Sequence, residues 1–228
     1  MKQLCIILAV CGFVTVVSAQ GKNELQKHYE AFYKQMKVQG DVRGVIDALT
    51  HLDVLAPTQA RKDTIAYFYV SEGQYVQALN TIGVESNTSN SDLNIEVRAI
   101  ALKSLNHTEK AVENYEVLFA RNPNAYLAYE IADLRIQLND LQGAKKKIEY
   151  GLANAKPDMM RAFYETQQPY ETSLRAAFTY LQALVIYNED PNANVETAIA
   201  TLNRALALDP NFNLAKISKE ALLRKPQE

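Results

Sequence analysis

The side chains that could do chemistry are few and scattered along the 228 residues. Of the three histidines, His28 and His51 fall on separate expected helices and His107 in an expected turn, so no motif joins them. Hydrolytic and metal chemistry need such groups at fixed spacing, yet no H-E-x-x-H, G-x-S-x-G, Walker-type glycine loop or dinucleotide fingerprint occurs. With eight glycines in the chain, there is little material for loops that cradle phosphate. Both cysteines, Cys5 and Cys11, lie in an apolar N-terminal stretch. Catalytic residues, a metal site and a cofactor are therefore not expected. What the composition does supply is aromatic surface, 13 tyrosines and seven phenylalanines, and such rings bury large area with few rotors to freeze. The densest charge run, Lys145-Lys146-Lys147, reads as a solvated outer helix face.

The elements that must position these rings follow from a regular spacing. Val45, Ala78, Ala111 and Ala144 recur every 33 residues. Five residues before each stands Gly40, Gly73, Asn106 or Asn139, and four residues after it stands Leu49, Ile82, Tyr115 or Ile148. Gly and Asn tolerate the left-handed conformation of a tight turn, and an i, i+4 apolar pair lies on one helical face. Each turn thus opens a helix, a second helical segment precedes it, and the small residue lets the two approach closely.

These segments resemble the tetratricopeptide repeat (TPR) family, whose unit carries W-x2-L-G-x2-Y, then A-x3-F, then P. The first repeat, from Gln26, offers Tyr29, Phe32, Tyr33, Met36, Val45, Leu49 and Pro57. The second, about 59–91, offers Ile65, Ala66, Tyr69, Ala78 and Ile82; the third, from Asp92, offers Ala99, Leu102, Ala111, Tyr115 and Pro123. A fourth, from Ala125, has Ile131, Ala132, Ala144 and Ile148, with Arg135 where the family has an aromatic. Ala198, Leu202, Ala205 and Pro210 match the second half of a fifth. Ankyrin repeats share the period, but their T-P-L-H-x-A turn is absent. The resemblance covers roughly residues 24–211. It implies an all-α, right-handed α-solenoid of about five helix-turn-helix repeats, and an inner groove lined by repeat positions 2, 5, 9 and 12. Those positions hold Lys27, Glu30, Lys34 and Lys37; Ala60, Asp63, Tyr67 and Val70; Leu93, Glu96, Ile100 and Lys103; Tyr126, Tyr129, Asp133 and Ile136. Tyr67, Ile100, Tyr126, Tyr129 and Ile136 are the contact candidates. TPR domains that clamp a partner's C-terminal carboxylate carry basic and Asn residues where this chain has Glu30, Lys34, Thr64, Leu93 and Val97, so that subclass is set aside.

Two stretches depart from the period. The connector Gly83 to Asp92 is rich in Ser and Asn and contains the sequon Asn87-Thr88-Ser89, to which Asn106-His107-Thr108 adds a second. From Ala144 to Ala198 the spacing is 54 residues, 21 beyond one period. The surplus is an aromatic insert at 158–170, with Met159, Met160, Phe163 and Tyr164 between Pro157 and Pro169 and Tyr170 just after, expected as a short helix that ends by Pro169. It either fills space between the fourth and fifth repeats or covers the groove as a lid. A long helix over about 171–188 follows and pairs with one over about 194–208. Ala177 continues the ladder numerically, but a helix ahead of it would need a small residue at Glu165, so that register is rejected. Residues 212–228 are expected as a capping helix and tail, with Leu214, Ile217, Ala221 and Leu222 on one face.

The N-terminus speaks to address. Lys2, the 14-residue apolar stretch Leu4 to Val17, and Val17-Ser18-Ala19 before Gln20 read as a cleaved secretory signal over 1–19, of bacterial look. Leu8-Ala9-Val10-Cys11 departs from a lipoprotein signal at the bulky Val10. The chain after cleavage, 20–157 holding repeats 1–4 and 171–211 the fifth, has no transmembrane segment and no cysteine. It carries 23 basic against 26 acidic residues, a balance that does not point to nucleic acid. The expected protein is an exported, periplasmic or extracellular, non-enzymatic scaffold for another protein or a peptide. The alternative is a structural or self-associating envelope component, and the oligomeric state stays open.

Overall fold

Helix pairs follow one another because each small ladder residue permits a close crossing. The structure, a computed structural model, describes the backbone of residues 2–85 and 90–224, with side chains from residue 21 onwards. Its helices are α1 (Lys2–Gln39), α2 (Val42–Leu55), α3 (Gln59–Ser71), α4 (Tyr75–Ile82), α5 (Asp92–Ser104), α6 (Thr108–Arg121), α7 (Ala125–Gln137) and α8 (Leu141–Asn154). Strands β1 (Met160–Phe163) and β2 (Tyr170–Ser173) follow, then α9 (Leu174–Glu189), α10 (Val195–Leu208) and α11 (Asn213–Leu223). The expected signal segment lies within α1, and its side chains fall outside the described residues, as does the sequon Asn87-Thr88-Ser89.

The four expected turns share one geometry. Gly40, Gly73, Asn106 and Asn139 have φ of 71°, 70°, 61° and 58°. The next residue's N–H reaches the carbonyl five residues back: Asp41 to Met36 at 3.0 Å, Gln74 to Tyr69 at 2.7 Å, His107 to Leu102 at 2.9 Å and Asp140 to Arg135 at 2.9 Å. That 6→1 bond, with the left-handed residue's own N–H returning three residues back, is the Schellman closure of a helix end. The 33-residue period is thus written into backbone hydrogen bonding as well as side-chain size. Val45 is 3 % exposed, and Ala78, Ala111 and Ala144 are fully buried. Helix starts are capped by side chains of Asp41, Thr58, Ser91, Asn124, Asp140 and Ser173.

The chain divides into two compact units, Met1–Glu85 and Ser86–Glu228, at the polar connector where the period first falters. In the first, α1 pairs with α2 and α3 with α4 around Val45, Ile46, Leu49 and Ile65. In the second, α5/α6, α7/α8 and α9/α10 form successive hairpins and α11 packs on α10. Phe178 of α9 is fully buried among Tyr129, Ile148, Leu174 and Leu181. Its ring lies where a side chain at Gly151 of α8 would be, with Cζ 2.0 Å from the position of a Cβ there. The helix α9 follows the strands and pairs with α10, in which Ala198 is fully buried.

Three expectations are corrected. The insert is an antiparallel hairpin rather than a helix, with Arg161 opposite Thr172 and Phe163 opposite Tyr170. Pro169 forces the residue before it out of the helical region, and the stretch between the prolines is too short to sustain a helix unaided. As strands, 160–163 and 170–173 place Arg161, Phe163, Tyr170 and Thr172 on one face, which tertiary packing rewards. In the capping helix Leu214 and Leu222 pack on the core as expected, but Ile217 is 52 % exposed and Ala221 is exposed, and the fully buried residues are Ala215 and the preceding cap residue Phe212. The lysine run is not wholly solvated: Lys145 pairs with Glu189 at 2.5 Å and Lys147 with Glu116 at 2.6 Å. Of the three, Lys146 is the exposed one.

Candidate functional site

The first helix of each hairpin presents its position 2, 5, 9 and 12 residues on one face. In α5, Leu93 and Glu96 are exposed while Ile100 and Lys103 are half-buried; in α7, Tyr126 is exposed while Asp133 and Ile136 are half-buried. Lys103 Nζ bridges to Glu130 Oε2 at 2.5 Å, which ties the two helices together across that face. The second compact unit therefore gathers Ile100, Tyr126, Tyr129 and Ile136. Tyr67 belongs to the first unit, where its ring is exposed and meets Phe68 edge-on at 5.6 Å. On the same unit's first helices, Lys27, Glu30, Lys34 and Lys37 are exposed, whereas Asp63 is buried and accepts a bond from Gln59 Nε2 at 2.8 Å.

Tyr129 is the candidate the structure removes from the accessible face. It is 3 % exposed, with the Arg161 guanidinium 3.9 Å from its ring centroid and Phe178 edge-on at 5.4 Å. Burial pushes its hydroxyl well above the ordinary tyrosine range, and the nearby Arg161 reverses this only in part. Tyr129 is a platform for the hairpin and is closed to solvent.

The insert residues split by strand face. Phe163 is buried, stacked on Tyr170 at 5.7 Å and tilted against Phe212 at 5.1 Å. The half-buried Tyr170 donates its hydroxyl to Glu165 Oε1 at 2.6 Å and accepts the Leu214 N–H at 3.3 Å. Fully buried Thr172 donates to Asp209, in the connector before α11. Met160 is 40 % exposed and Tyr164, in the connecting loop, 75 %. The hairpin both fills space and covers part of the face: its inner side reaches from α7 to the start of α11, and its other side and tip are open.

Charge completes the site, and here Arg161 and Glu130 escaped the sequence reading. Arg161 Nη1 lies 2.6 Å from Glu130 Oε1, so Glu130 is held by two cations. Burial alone would raise the Glu130 carboxyl, but Lys103 and then Arg161 hold it below the usual range. Asp133, one turn further along α7, behaves oppositely. Burial, reinforced by Glu130 and only partly offset by Lys103 and Arg161, holds its carboxyl above the usual range. Its carboxylate accepts from Gln137 Nε2 at 3.2 Å. Glu130 occupies position 6 of its repeat, outside the four inner positions, and Arg161 lies in an insert no repeat pattern describes. The usable signal was an arginine alternating with aromatics in an extended run.

This assembly suits recognition: exposed apolar rings and branches beside carboxylates, on rigid helices. Among the described residues no group of three or more His, Cys, Asp or Glu is placed to hold a metal ion, and no helix is long and apolar enough to cross a membrane. His51 stacks on Tyr29 at 4.3 Å.

Solved structures share the architecture. A tetratricopeptide repeat protein from Parabacteroides merdae superposes with a TM-score of 0.65 at 16 % identity, over 87 % of this chain and 72 % of that one. YrrB, described as a TPR protein with an unusual peptide-binding site, gives a TM-score of 0.65 at 15 % identity, over 91 % of this chain and 97 % of that one. The fold is that of the tetratricopeptide-repeat proteins, all-α and built of consecutive helical hairpins. No protein-family profile matches the chain, and no curated protein matches it in sequence.

Proposed function

We propose that this chain is a non-enzymatic scaffold that binds another protein or a peptide on the inner face of its first helices, in the cell envelope or secreted space of its source. The observation that carries the reading is the pair Leu93 and Tyr126, 37 % and 44 % exposed at the same repeat position of successive first helices. Apolar side chains of this size, held open on a rigid face beside half-buried Ile100, are the anchors that binding interfaces use. The likeness of fold to a protein with a peptide-binding site supports the same reading.

Export rests on the N-terminal pattern of Lys2, the apolar run and Val17-Ser18-Ala19. Intact-mass measurement of the chain recovered from outside the cytoplasm should give a start at Gln20. For the binding face, affinity capture from envelope extract should recover a partner with the wild-type chain and lose most of it with Leu93→Ala/Tyr126→Ala. Equal recovery with that variant would overturn the inner-face assignment. A mass that rises with concentration, in the absence of any other protein, would instead favour self-association.

A further inference from the structure

The charges of the inner face in the second unit do not balance locally. Five groups stand there: Glu96 and Lys103 on α5, Glu130 and Asp133 on α7, and Arg161 on β1. Both cations are committed to one carboxylate, Lys103 at 2.5 Å and Arg161 at 2.6 Å from Glu130. Neither Glu96 nor Asp133 has a cation within ion-pair distance among the described residues. They flank the exposed or half-exposed apolar side chains Leu93, Ile100 and Tyr126.

We propose that the occupant of this face is an extended peptide segment carrying an arginine or lysine near an apolar residue, the cation meeting Asp133, with Glu96 adding negative charge to the same face, and the apolar side chain meeting Tyr126, Ile100 and Leu93. The proposal rests on the inner-face reading above and names the class of partner. The chain itself displays the chemistry in miniature. A guanidinium on an extended strand, Arg161 on β1, is held between a tyrosine face at 3.9 Å and a carboxylate at 2.6 Å on the same helix. Planar cations suit such a site because they stack and pair at once. Asp133 is the next carboxylate along α7, and a partner's cation there would relieve both its burial and its repulsion from Glu130. Tyr126 and Asp133 are seven residues apart on α7, about 10.5 Å of helix axis. An extended chain covers that distance in about three residues, which sets the expected spacing between the apolar and the basic side chain.

The test is selection of random 12-residue peptides, displayed on phage, against the immobilised whole chain at low ionic strength. Selected peptides should carry Arg or Lys about three residues from Leu, Ile, Phe or Tyr. Their synthetic forms, measured by fluorescence anisotropy, should bind roughly tenfold more weakly to Asp133→Asn, and weaken further as salt rises. Circular dichroism checks that Asp133→Asn and Glu96→Gln keep the helical fold. Selected peptides without a basic residue, or basic ones indifferent to both variants, would overturn the partner class. If those same peptides still lose affinity for Tyr126→Ala, the inner-face reading survives; if they do not, or if nothing is selected, both readings fall.

Discussion

Replacing Arg161 by alanine removes two interactions that the hairpin makes with α7. One is the charge-assisted bond to Glu130, 2.6 Å long, with side chains 20 % and 18 % exposed. The other is the guanidinium stack 3.9 Å from the centroid of Tyr129. A hydrogen bond to a charged group contributes about 1.5–3 kcal/mol, and a partly desolvated cation–π contact roughly 1 kcal/mol. Glu130 keeps Lys103, so the larger penalty of stranding a lone buried charge is avoided. The expected loss is about 3 kcal/mol, a fall in Tm of roughly 6–12 °C for a chain of this size. Arg161→Lys should lie between, because it keeps the charge and loses the planar stack. Urea unfolding followed by circular dichroism measures each variant, and the cycle with Glu130→Gln isolates the pair, with a coupling of about 1–2 kcal/mol expected. Hydrogen exchange should rise in residues 160–163 and 170–173 of Arg161→Ala and stay unchanged in α5. Additivity of the two substitutions within about 0.5 kcal/mol would refute the reasoning.

Three further outcomes follow from single positions. Gly151→Ala would put a Cβ 2.0, 2.2 and 2.4 Å from atoms of the sealed Phe178 ring; overpacking of about 1–3 kcal/mol outweighs a helix-propensity gain of about 1 kcal/mol. Urea midpoints should therefore fall, and Phe178→Leu in the same chain should recover part of the loss. Ala111→Leu, at a fully buried crossing of α5 and α6, should cost about 1–3 kcal/mol, and an unchanged Tm would contradict the repeat register. Asp133→Asn should raise Tm at pH 7. A carboxyl whose folded pKa lies above its unfolded value loses stability as pH rises between the two, so the gain should vanish in scans below the unfolded value of about 3.9.

The repeat register was legible because it depends on local chemistry. Four residues able to adopt φ near 60–70° stand at a constant distance before four small residues, and backbone geometry demands both. Leu93, Glu96 and Tyr126 are exposed at the positions that the TPR pattern assigns to the inner face. The burial of Tyr129 was not legible, because it depends on a strand some thirty residues away that no helical pattern anticipates. The hairpin was misread for the same reason. Prolines at 157 and 169 bound a short helix as readily as they bound a pair of strands, and the decision lies with contacts to α7, α9 and the connector before α11. Arg135 shows a milder form of this limit. Its place in the fourth repeat is aromatic in the family, and here the side chain holds Asp140 and Glu116, the latter at 2.9 Å, so ion pairs stand in for ring packing.

The hairpin and the inner face are coupled by the order they share. A two-stranded hairpin alone is marginal in water, so its persistence depends on what its inner side touches: Arg161 on Tyr129 and Glu130, Phe163 and Tyr170 on Phe212, Thr172 on Asp209. The same contacts cover Tyr129 and place Arg161 on Glu130, which Lys103 of α5 also holds. What is left open on α7 is Tyr126 before the hairpin's arginine and Asp133 after it. An insert that broke the 33-residue period therefore leaves the face apolar at one end and acidic at the other. Loosening the hairpin should uncover the Tyr129 ring and remove one of the two cations from Glu130, which keeps Lys103, and so should increase the preference of the face for basic segments rather than abolish it.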